Sequence, residues 1–148
     1  MATSSVITFV SKQNDKLTPI VSVYQYFDGY LSGVGVELAK WLIKKSLING
    51  MKMDQYNSKY ANGVGCLAAQ FIRDFKTSVG GLYVCPTSYN HKWIDYHYMI
   101  IIDDPLDIRN PLPLNDITKI SVTVFDNTKP IFEGSPEELI DGNNTETD

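Results

Sequence analysis

The 148-residue chain carries 13 Lys and Arg against 17 Asp and Glu, a net charge of −4, with 43% hydrophobic and 20% charged residues. That length and apolar content support one domain with its own core, and exclude a disordered chain, a collagen or a disulfide-dense mini-protein. No apolar run approaches the ~18 residues that a membrane helix requires, and Met1 to Ser5 lacks the charged-then-apolar pattern of a secretion signal, so a soluble, cytoplasmic domain is expected.

In chain order, Val6 to Val10 is rich in β-branched residues and predicts a first strand. The polar stretch Ser11 to Thr18 reads as a hairpin-like loop. Pro19 then opens a second strand running to about Phe27, because proline donates no ladder bond and suits a strand's first residue. Asp28-Gly29 is a turn signal. From Gly33 the period changes: Val34, Leu38, Trp41 and Leu42 share one helical face, and Asn49-Gly50 ends that helix. A polar connector, Lys52 to Lys59, leads to a second helix from about Gly63, with Val64, Leu67, Ala68, Phe71, Ile72 and Phe75 on one face and Gly80-Gly81 as its stop. Four further strands follow. They are Leu82 to Cys85, Ile94 to Ile102 (apolar enough to be central), the alternating Lys119 to Phe125, and Pro130 to Phe132. A Pro- and Asp-rich loop, Asp103 to Asp116, separates the second of these from the third. The order is ββ-α-α-ββ-ββ: an α+β domain, two central helices packed on one face of a mainly antiparallel β-sheet. It spans residues 1–134, and 135–148 reads as an acidic, solvated, mobile C-terminal tail.

The charge is unevenly placed. Glu133, Glu137, Glu138, Asp141, Glu146 and Asp148 fall in a stretch without Lys or Arg; without those six the body has 11 acids against 13 bases. Eleven of the bases are Lys and only Arg73 and Arg109 are guanidinium groups, which argues against a sequence-specific nucleic-acid binder. Cys66 and Cys85 fit a reducing compartment as small buried hydrophobes.

A short internal repeat stands out. Tyr30-Leu31-Ser32-Gly33-Val34-Gly35 is echoed by Tyr60-Ala61-Asn62-Gly63-Val64-Gly65, each copy at a predicted helix start, with Ser32 and Asn62 as N-cap types. Helix N-termini leave backbone N–H groups unpaired and carry the positive end of the macrodipole, and flanking glycines let an anion approach. If the two starts converge, they form a pocket for a phosphorylated ligand, with Tyr30 and Tyr60 to stack or donate. The competing reading is structural: glycine near an N-cap is common and permits close packing. No Gly-Lys-Ser/Thr follows, so the repeat is not a Walker A loop, and it is not the full dinucleotide fingerprint.

Four stretches carry a resemblance: Tyr24 to Gly35, Asn62 to Gln70 (Asn-Gly-Val-Gly-Cys-Leu-Ala-Ala-Gln), Gly80-Gly81-Leu82-Tyr83, and Phe132-Glu133-Gly134-Ser135-Pro136. Together they resemble a family of small proteins from phages, other viruses and bacterial genomes whose members have no assigned function. The resemblance runs from Tyr24 to Pro136 and implies a viral or mobile-element setting. The family pattern has Arg, His, Trp and Pro where this chain has Gln25, Tyr26, Phe27 and Leu31. The Arg–His pair that would make an acid–base or phosphate-clamp candidate beside Asp28 is therefore absent, which lowers the case for an enzyme.

Other chemistry is thin. His91 and His97 do not gather with a cysteine and a carboxylate in the sequence, and no zinc spacing exists. Asp103, Asp104 and Asp107 read as a solvated turn or a weak divalent-cation site. The nine tyrosines supply binding area at low entropy cost or serve as ordinary sheet residues. The leading expectation is a non-catalytic binding module for a small anionic, nucleotide-like ligand, without cofactor or metal. Its site would comprise Asp28, Tyr30, Ser32, Gly33, Gly35, Tyr60, Asn62, Gly63, Gly65 and Gln70, and in a viral setting it would capture a host-defence signalling nucleotide. The alternatives are a protein-interaction or self-assembling module using a Tyr-rich sheet face, which brings in a host protein or a second copy as partner, and a metal-dependent phosphodiesterase-like enzyme built on Asp28.

Overall fold

A computed structural model describes residues 3–48, 57–88, 93–103, 112–116 and 119–145. Most of the expected connector over 52–59, together with His91, Asp104, Asp107 and Arg109, lies outside them.

The first two strands, β1 (Ser5–Gln13) and β2 (Lys16–Gln25), are longer than expected. What reads as a polar loop is a two-residue turn: Asn14 and Asp15 take φ of 50° and 66°, the left-handed pair of a tight hairpin, which Asn and Asp tolerate. Lys16 to Ile20 are all exposed, and the strand β5 that pairs with β2 does so only over Ser22–Gln25. Pro19 lies inside β2, not at its start. It faces Val10 beside a register shift at Phe9/Val10, an irregularity that accommodates a residue lacking an N–H.

Past β2, Leu31–Gly35 forms one wide turn, with the Gly35 N–H reaching back to the Tyr30 carbonyl at 3.4 Å, and runs into α1 (Val36–Ile43). The helix stops at Lys44, well before Asn49-Gly50. Leu47 and Ile48, apolar in a way that suits either helix or strand, instead form β3 (Ser46–Ile48), buried by pairing with β4 (Tyr60–Asn62) and β7 (Leu112–Pro113). The loop expected over Asp103 to Asp116 thus contains a strand. Helix α2 (Gly63–Phe75) starts as predicted but ends at Phe75; Gly80 and Gly81, at φ 77° and 78°, shape the connection to β5 (Leu82–Cys85) instead. Then come β6 (Tyr96–Asp103), β8 (Ile120–Asp126) and β9 (Lys129–Gly134).

The chain closes with a third helix, α3 (Pro136–Thr145), where a solvated tail is expected from the sequence. Leu139 is buried in the core and Ile140 packs against it, so an apolar edge overrides the acidic composition. The order ββ-α-α-ββ-ββ is corrected accordingly, and the fold is mixed α+β with three α-helices among the described residues.

Six strands form one sheet in the order β5-β2-β1-β6-β8-β9, antiparallel except for the central parallel pair β1/β6. One sheet face carries Ile7, Phe9, Val23, Tyr98, Ile100 and Val122, which share a single core with Leu38, Leu42, Leu67, Phe71 and Leu139 of the helices. Burying such side chains contributes about 1.5–3 kcal/mol each, so this face holds the fold. The opposite face, with Val6, Thr8, Tyr24, His97, Met99 and Phe125, contributes nothing to that core. No helix among the described residues is long and apolar enough to cross a membrane.

Candidate functional site

The two copies of the repeat do different things. In the first, Asp28 takes φ 58° and its side chain accepts the Tyr30 hydroxyl at 3.2 Å; the carboxylate's charge, and then this bond, raise the Tyr30 phenol above its ordinary value. Ser32 lies exposed within the wide turn and does not cap. Gly33 meets the Asp28 carbonyl so closely that a Cβ would stand 2.4 Å from it. Gly35 is buried against the Tyr98 ring, a Cβ there lying 3.1 Å from the Tyr98 hydroxyl. That hydroxyl donates to the Gly29 carbonyl at 2.6 Å, and burial pushes the phenol's pKa far up, so it stays a donor. In this copy the glycines serve packing.

The second copy is more open. Asn62 stands at the N-cap of α2 without a side-chain cap bond, Gly63 takes φ 84° to turn from strand into helix, and a Cβ on Gly65 would meet nothing within 4 Å. Tyr60, Asn62 and Gln70 line one hollow of about 270 Å³ with Ser58, Cys66 and Arg73; no residue of the first copy lines it. Leu31 borders a separate hollow of about 80 Å³ with Phe132 and Leu139. The Gln70 amide donates to the Tyr60 carbonyl at 2.7 Å, and its Oε1 is buried without a partner.

The hollow is edged by cations. Lys59 lies 5.1 Å over the Tyr60 ring, and Arg73 is exposed beside it. Beneath Ser58, Lys45 is only 5% exposed: its ammonium donates to the Ser58 carbonyl, lies 4.7 Å from the Trp41 ring and stands 3.9 Å from Asp74. Burial lowers the Lys45 pKa and Asp74 partly restores it. Asp74 is the one carboxylate tied to these cations among the described residues. The Arg73 hydrogen bond first, and the Trp41 indole at 2.8 Å second, hold it below the usual carboxylate range. Cys66 and Arg73 are not part of the sequence-derived site. Their signal is positional, since Asn62, Cys66, Gln70 and Arg73 recur along one face of α2.

A second feature emerges only from strand register. Tyr83, Tyr24, Val6, His97 and Phe125 are successive partners on β5, β2, β1, β6 and β8, so their side chains form one row on the helix-free face. The Tyr24 and Tyr83 rings lie 6.2 Å apart, and the His97 and Phe125 rings 6.0 Å apart and stacked. Beneath the row, the Thr8 hydroxyl bonds to Ser22 at 2.7 Å and to His97 Nε2 at 3.0 Å. Past the end of β2, Tyr26 and Phe27 extend the exposed aromatic area.

Among the described residues, no three His, Cys, Asp or Glu side chains gather as a metal site. No family model, curated protein or solved structure matches the chain.

Proposed function

We propose that this chain is a non-catalytic binding module that holds a small anionic, nucleotide-like ligand in the hollow beside α2. The observation that carries this reading is the lining itself. Arg73, Gln70, Asn62, Ser58 and Tyr60 border the hollow, and no carboxylate among the described residues lines it. Guanidinium and amide donors recognise phosphate oxygens, the Tyr60 ring offers a base a surface to stack on, and α2 has no acidic residue in its first turn to repel an anion. The resemblance to phage and viral proteins directs the choice of ligand toward defence-signalling nucleotides. Screening mono-, di- and cyclic nucleotides by thermal shift at about 1 mM is expected to find one that raises the melting temperature, with the rise lost in Arg73→Gln. If none raises it, the reading fails.

A second reading, a protein-interaction or self-assembling module, is favoured by the aromatic row. Tyr83 at one end of the row is exposed and is extended by Tyr26 and Phe27, while Val6 at its centre is buried, and contiguous exposed apolar surface marks an interaction site. The phosphodiesterase reading gains no support: the Asp28 side chain is engaged by Tyr30.

A further inference from the structure

The helix-free face ends, at the hairpin tip, in a hollow of about 340 Å³ that the sequence does not announce. Among the described residues its charged lining is Lys12, Asp15, Asp103, Lys119 and Glu133, over an apolar floor that includes Leu17 and Ile101. Lys12 and Asp103 are register partners on β1 and β6, and the Asp103 N–H donates to the Lys119 carbonyl at 2.8 Å, which brings Lys119 alongside. Asp15 sits in the hairpin turn and Glu133 on β9, so the signs alternate around the rim. None of these five makes an ion pair with another described residue, although lysine and carboxylate stand on neighbouring strands; the described ion pairs are those of Asp74.

We propose that this hollow binds a small zwitterion, an ammonium group and a carboxylate joined by a short apolar stem. A simple anion drawn to Lys12 and Lys119 would be repelled by the three carboxylates, and a simple cation drawn to those would meet the two ammonium groups. A dipolar ion satisfies both signs at once while its stem covers Leu17 and Ile101. Because the site is open to water, each charge contact is screened and affinity is set in the millimolar range. The site is separate from the α2 hollow, and its fate does not depend on that reading.

The test titrates the full chain with glycine, γ-aminobutyrate and ε-aminocaproate, against caproate and hexylammonium as single-charge controls. Thermal shift reports binding, and amide NMR shifts at Ile101 and Ser121 locate it. At about 10 mM, a zwitterion with a Kd near 1 mM raises the folded-to-unfolded ratio about tenfold. The expected result is that at least one zwitterion does so and both controls do not, and that Asp103→Asn and Lys119→Met each abolish the effect, while Arg73→Gln leaves it intact. Three results would overturn the proposal: no response to any zwitterion, a single-charge control binding as tightly, or binding that survives both rim variants.

Discussion

Gly35 and Gly65 occupy the same place in the two repeats and do opposite work. Gly35 is buried, and a Cβ there would lie 3.1 Å from the Tyr98 hydroxyl and 3.3 Å from Leu31 Cδ2, inside a packed core whose hydroxyl is fixed by its bond to Gly29. Gly65 lies within α2 with open space around it, where glycine only adds unfolded-state freedom. Gly35→Ala should therefore cost about 1–3 kcal/mol through overpacking. Gly65→Ala should raise stability, by up to about 1 kcal/mol. Urea denaturation of the two variants measures both, and equal effects of the same sign would show that the repeat imposes one role on both glycines. The repeat was legible in the sequence; its meaning was not, because Tyr98, the residue that decides it, comes from a distant strand. The same holds for the site. Tyr60, Asn62 and Gln70 meet in one hollow, while Asp28, Tyr30, Ser32, Gly33 and Gly35 are organised around their own turn.

At the scale of elements, α3 shows a signal that composition obscured. Ser135 Oγ accepts the Glu138 N–H at 3.1 Å and Glu138 Oε1 accepts the Ser135 N–H at 3.1 Å, a reciprocal cap with Pro136 at the first helical position. Glu137 and Glu138 in the first turn favour the positive end of the helix dipole. Ser-Pro-Glu-Glu thus spells a helix start, yet the absence of any basic residue made the segment read as a tail. Ser135→Ala is expected to cost about 1 kcal/mol. Hydrogen exchange should show where that cost falls: amides of α3 should exchange faster while those of β1 and β6 stay protected. Uniform acceleration across the sheet would mean that α3 is held by packing alone. The hairpin tip and β3 depart from the pattern of their sequence for a related reason. Asn14-Asp15 is a turn pair that sits among polar strand residues, and Leu47-Ile48 fits either period, so tertiary pairing decided what local pattern left open.

At the scale of the molecule, the α+β class followed from alternating and helical periodicities, but the sheet order did not. The central β1/β6 pair joins strands far apart in sequence, and no local feature encodes that contact. The aromatic row inherits the same opacity, since it exists only because five strands align in register. It also supplies the means of separating the two functional readings. Six strands at about 4.8 Å spacing give a face on the order of 25 Å wide, smaller than the ~800 Å² per partner of a stable interface once strand length is included. Association of two copies through it should therefore be weak and concentration-dependent. Tyr83 is 53% exposed and Phe125 half-buried at opposite ends of the row, so Tyr83→Ser with Phe125→Ser removes the two outer of its four rings with little loss from the helix-covered core. Light scattering of the native chain should show mass rising with concentration, and the double variant should stay monomeric while keeping any nucleotide response at the α2 hollow. A native chain that is monomeric at every concentration would remove self-assembly and leave the α2 hollow as the better-supported site. A double variant that loses the nucleotide response would instead tie ligand binding to the open face, against the lining that Arg73 and Gln70 provide.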